Sequence, residues 1–145
     1  MDYHPTFAIS AAGMSLERTR VEVAALNLAN AHTTQAAGQA AFTPMRVVAQ
    51  ASTGETFAAL MDSDAAVATQ LPTFRIEPAQ VSPRKVQEPG HPLADAQGFV
   101  TYPGVDTATE MVTMMSATRA YEANVAAMNM ARTMALKALD IGGQS

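Results

Sequence analysis

Residues 106–139, DTATEMVTMMSATRAYEANVAAMNMARTMALKAL, belong to the longest stretch of the chain without proline or glycine, and helix-forming types run throughout it. This is the chemistry of one long helix. Thr107 followed three residues later by Glu110 has the spacing of a capping box at its start, and Gly142 and Gly143 suit its end. At about 100° per residue, Met111, Met114, Thr118, Tyr121, Val125, Met128, Leu136 and Leu139 share one face at coiled-coil spacing. A second face carries Val112, Ala123, Ala127, Met130, Met134 and Ile141. A helix with apolar groups on two sides calls for more than one neighbour.

The other end of the chain offers the first of those neighbours. Residues 6–31 read as a second helix, with Pro5 before it and Gly13 as its one internal weak point. Ile9, Ala12, Leu16, Val23 and Leu26 share one side of it, and Phe7, Ala11, Met14, Val21, Ala25 and Leu28 share the other. Charges cancel in both segments, so the two helices can pair as a coiled coil and still keep a face for other copies. Asn27, Asn30, Asn124 and Asn129 recur near the ends of these helices. They are either solvent-exposed or register-setting amides in a tight seam, and the residues alone leave both readings open.

Between the helices the composition changes. Seven of the eight prolines lie from Pro44 to Pro103, which excludes long helices and central strands. Residues 45–50, 73–77 and 99–102 alternate well enough for short hairpin or edge strands, and residues 88–92 form a turn. The expected fold is therefore mainly α, with a small β and loop middle. Its divisions are an N-terminal helix in 1–34, a proline-rich middle in 35–104 and a C-terminal helix in 105–145, the two helices making one coiled-coil domain.

With 48% hydrophobic and 15% charged residues, the 145-residue chain has a globular composition, but few aromatic residues and ten methionines favour helix seams over a bulky core. A net charge of -4 without a Lys/Arg cluster argues against nucleic acid. No run of about 18 apolar residues exists for direct membrane insertion, and residues 1–6 lack the features of a cleaved secretory signal. Zero cysteines remove thiolate chemistry, and His4, His32 and His91 are too scattered for a metal site. The acidic pair Asp62 and Asp64 reads as a solvated turn. No nucleophile elbow or phosphate loop occurs, so neither an enzyme nor a cofactor is expected. The methionines of residues 111–134 read as helix packing in preference to a promiscuous docking surface. A soluble adaptor or export chaperone is the alternative of another class.

Two motifs carry a resemblance. The run Ala24-Ala25-Leu26-Asn27-Leu28-Ala29-Asn30-Ala31 resembles the N-terminal motif of bacterial flagellar axial proteins, and residues 117–125, ATRAYEANV, resemble their C-terminal motif. Residues 88–106, EPGHPLADAQGFVTYPGVD, are similar to the approach to the C-terminal helix in the short proximal-rod subunits of the FlgC type. The resemblance covers residues 7–50 and 75–141, and is weak over 51–74. After Asn30 the chain departs from the usual Thr-Pro-Gly and reads Ala31-His32-Thr33-Thr34-Gln35. The resemblance implies a structural subunit of the rod that transmits torque across the periplasm, exported without a cleaved signal by the flagellar type III apparatus. It implies as partners further copies of itself and rod and basal-body proteins of the FlgB, FliE, FlgF and FlgG types. Assembly residues are then expected at Leu16, Val23, Leu26, Asn27, Leu28 and Asn30 of the first helix. In the second they are Met111, Met114, Thr118, Tyr121, Asn124, Val125, Met128, Asn129, Leu136 and Leu139.

Overall fold

A computed structural model describes residues 4–34, 39–50, 71 and 73–142. Helix α1 spans His4–Asn30 and helix α2 spans Thr107–Gly142, with four short strands between them: β1 Met45–Gln50, β2 Thr73–Pro78, β3 Arg84–Gln87 and β4 Phe99–Tyr102. The fold is mainly α with a small β middle, as the proline distribution requires. Asp62 and Asp64 lie outside the described residues.

The strands form two separate two-stranded sheets. In β1–β2 the Ala79 N–H donates to Pro44 O at 2.8 Å, and Arg46 is bridged to Glu77, so the strands run in opposite directions. In β3–β4 the antiparallel register sets Arg84 opposite Tyr102 and Val86 opposite Val100. Strand β3, RKVQ, was not expected from its residues, since it offers one apolar side chain and no alternating run. Its extended form depends on the partner strand, whose Val100 is fully buried. The connecting turn places Gly98 at φ 81°, where a side chain is disfavoured, and Asp95 Oδ1 accepts from the N–H groups of Gln97 and Phe99.

The chain divides into two compact units, and both helices contribute to each. One contains residues 1–18, 49–75 and 118–145. Here α1 meets α2 at Gly13, where a Cβ would stand 2.9 Å from both polar atoms of the Asn124 amide. Glycine permits that close approach. Ser10 and Ala131 are buried in this unit.

The other unit contains residues 19–48 and 76–117. Asn27 of α1 is bonded to Glu110 of α2, while Arg20, Val23 and Ala24, earlier in α1, share a groove with Thr113, later in α2. The helices therefore pair antiparallel. Val23, Ala24, Asn27, Ala31 and Ala117 are buried here together with Val100.

Helix α2 starts differently from the Thr107–Glu110 capping box that its residues suggest. Asp106 is the cap: its Oδ1 accepts from the Ala108 N–H at 3.1 Å and its Oδ2 from the Thr109 hydroxyl at 2.7 Å. Glu110 is directed instead to Asn27, because a tertiary partner within reach competes with the local one. At the other end α2 runs through Gly142, and Gly143 lies outside the described residues.

Candidate functional site

The sequence pattern puts large apolar side chains on two faces of α2, and the tertiary structure shows which strip of the helix meets the rest of the chain. Glu110, Thr113, Ala117, Ala120, Asn124, Ala127, Ala131 and Ala135, spaced by threes and fours, are all buried or half-buried. Ala117 is 0% and Ala131 2% exposed. This strip of mostly small residues lies between the two large-residue faces. Met111, Thr118, Tyr121, Asn129, Leu136 and Leu139 are exposed, while Met114, Asn124, Val125 and Met128 at the seam's margin are half-buried. On the second face Val112, Met130, Met134 and Ile141 are exposed too; Ile141 is 79% exposed, and Leu139 of the first face 71%.

On α1, Val23 and Asn27 are buried, Leu16, Leu28 and Asn30 are half-buried, and Leu26 is exposed. The four asparagines have different fates. Asn27 is 1% exposed and fully engaged: Nδ2 donates to Met45 O at 2.8 Å and to Glu110 Oε1 at 3.1 Å, and Oδ1 accepts from the Met45 N–H at 2.9 Å. Asn30 and Asn124 each return a hydrogen bond to the helix, to Leu26 O and Ala120 O. Asn129 faces outward. Past Asn30 the chain turns through Ala31, which is buried, and the Thr33 N–H donates to Asn30 O at 3.0 Å.

Gly13, which lies against Asn124, and the buried Ala24, Ala117 and Ala131 are not marked by the pattern of large apolar residues. A readable signal exists, since Ala117, Ala120, Ala127 and Ala131 follow one another at spacings of three, seven and four. Small side chains weigh little in a hydrophobic pattern, so the larger residues on both flanks mask it.

Energetics separate the two sets. Each methyl buried along the seam contributes about 0.8 kcal/mol, whereas full burial of a Leu, Ile or Met side chain is worth about 1.5–3 kcal/mol. The large apolar side chains that α2 exposes among the described residues therefore represent more apolar free energy than its seam of small residues.

The polar groups of the β3–β4 region serve local structure. The Tyr102 hydroxyl donates to the Glu88 carboxylate, 3.1 and 3.2 Å from its oxygens, and the Arg84 guanidinium lies 5.9 Å from the ring centroid. Loss of water and then the Glu88 hydrogen bond and charge push the Tyr102 phenol above its ordinary 10.0. Asp106 is held below its ordinary 3.8, first by the Thr109 hydroxyl and then by the Ala108 N–H. An open cleft of about 440 Å³ is lined by Ala31, His32, Ser82, Arg84 and residues 103–107. Its acid, Asp106, is committed to the helix cap. His91 Nδ1 accepts from the Leu93 N–H within the turn. Among the described residues no three His, Cys, Asp or Glu cluster as metal ligands, and no helix is long and apolar enough to cross a membrane.

Comparison with known proteins adds to this geometry. Residues 96–141 match the family described as flagellar basal body rod FlgEFG protein C-terminal. Over the whole chain, similarity extends to the flagellar basal-body rod protein FlgC of Bacillus subtilis strain 168, 36% identical over 92% of this chain and 94% of that protein. The FlgC proteins of Escherichia coli O6:H1 and Salmonella typhimurium are 35% and 36% identical, each over 94% of this chain and 95% of the relative.

Proposed function

This chain belongs to the FlgC family of flagellar basal-body rod proteins and is a structural subunit of that rod; on this premise we propose that it builds the proximal part, assembling helically to transmit torque across the periplasm. The observation that carries the proposal is the division of α2: small residues make the seam within the chain, and the large apolar residues on both flanks are left uncovered. Two flanks on one helix allow contacts with two different neighbours. Contacts of that heterologous kind propagate as an open helix when they do not close a ring.

Membership of the rod family places the chain with other basal-body components. We take further copies and proteins of the FlgB, FliE, FlgF and FlgG types as its neighbours, and the flagellar type III apparatus as its route out without a cleaved signal. The role is structural and not enzymatic. In this reading residues 1–34 and 105–145 form the assembly module, and residues 35–104 the region that distinguishes the subunit. Leu136 and Leu139 lie on an assembly contact, with Met111, Thr118 and Tyr121 on the same face.

The test replaces Leu136 and Leu139 by Asp, singly, in a strain lacking the native protein. Both positions are exposed, so the purified variants keep their urea midpoint, while buried charge at a subunit contact abolishes rod assembly and swimming. Normal motility with both variants would refute the placement. A purified chain that binds one soluble partner at fixed stoichiometry and never coassembles would favour the adaptor.

A further inference from the structure

Asn27 belongs to α1, yet its side chain does the work of a neighbouring strand. In an antiparallel sheet two opposed residues exchange both N–H···O bonds. The Asn27 amide makes the same exchange with Met45, accepting from its N–H at 2.9 Å and donating to its carbonyl at 2.8 Å. The preceding carbonyl of Pro44 accepts from Ala79, beside β2. Strand β1 thus begins between a true strand on one side and one amide side chain on the other.

The second Nδ2 hydrogen goes to Glu110 Oε1 on α2, so all three elements meet at one group. An amide nitrogen has two hydrogens, and both are used. The opposite amide orientation would set Oδ1 against the Met45 carbonyl and the Glu110 carboxylate, so Glu110 selects the orientation that Met45 needs. At 1% exposure the amide is also shielded from water, which raises the worth of both Met45 bonds above their value on a solvated helix.

We infer that Asn27 is a conformational latch: it makes the docking of β1 onto α1 conditional on the pairing of α1 with α2, through the bond from its amide to Glu110. Aspartate cannot replace it, because a carboxylate lacks both donors and repels Glu110. The middle region is thereby fastened at the point where the helices have already come together.

Glu110→Ala is the direct test, since it leaves Asn27 and Met45 themselves unaltered and removes only the other acceptor of Nδ2. Amide hydrogen exchange on the full-length chain reads the outcome. The Met45 amide should exchange roughly tenfold faster, while amides at Ala117 and Ala120 in the seam change by less. Asn27→Asp should accelerate Met45 by roughly tenfold to a hundredfold. Adding Glu110→Gln to Asn27→Asp should recover part of the protection, because the Gln amide can donate to the new carboxylate. Unchanged Met45 protection in Glu110→Ala overturns the latch, as does an equal acceleration at Met45 and the seam. Failure of the double variant to regain any protection overturns it as well, and if Asn27→Asp alone does not fold, Glu110→Ala still decides.

Discussion

Ala117→Leu tests whether the helix seam depends on small residues. The methyl of Ala117 is fully buried, and a leucine there adds three carbon atoms to a strip lined by Ala, Thr and Asn side chains. Burial of three further carbons would yield about 2 kcal/mol if space existed. With no space, the helices must separate or the leucine must leave its preferred rotamers, at a cost of about 1–3 kcal/mol. Intrinsic helix propensity is nearly the same for Ala and Leu, so it does not obscure the outcome. For a chain of this length the loss corresponds to a fall of about 2–12 °C in melting temperature. Thermal and urea unfolding of the monomer, followed by circular dichroism, measure it. Met111→Ala is the control: Met111 is 52% exposed, and its loss should change stability by less than about 0.5 kcal/mol. An unchanged or raised midpoint for Ala117→Leu, together with a clear loss for Met111→Ala, would refute the seam described here.

Gly98→Ala should cost about 1–2 kcal/mol in urea unfolding, because φ 81° is unfavourable for a side chain and the new Cβ would also stand 3.3 Å from Pro89. Asp106 contributes stability fully present above its unfolded value of 3.8 and lost as pH falls through its lower folded value; Asp106→Asn should flatten that part of the acid limb in a pH series of urea midpoints. Tyr102 has the opposite sign, with stability present below 10.0 and lost as pH rises through its higher folded value. Its phenolate, identified in ultraviolet titration by the signal missing from Tyr102→Phe, should form above pH 10.0, and Glu88→Gln should lower its midpoint.

Local chemistry made much of this fold legible. An uninterrupted run of helix formers sets α2, the spacing of prolines confines the middle to short strands, and β-branched or aromatic residues mark β1, β2 and β4. The motifs around Asn27 and Asn124 resemble those of the axial family in the sequence itself, because they set particular residue types at fixed spacing. Strand β3 was not legible, since Arg84, Lys85 and Gln87 carry no strand signal apart from β4. The cap of α2 lies one residue before Thr107, because Thr107 and Glu110 satisfy the local rule while Asn27, far away in the chain, claims Glu110.

From the sequence alone, α2 has two large apolar faces. Only the tertiary structure decides that neither is the seam with α1. Periodicity shows which side chains avoid water, but it contains no information on which surface covers them or how closely the backbones approach. That distance is set by Gly13 against Asn124 and by buried Ala24, Ala117 and Ala131, whose small side chains weigh little in a hydrophobic pattern. The close approach they allow places α1 on the strip between the two faces and leaves Met111, Tyr121, Leu139 and Ile141 facing outward.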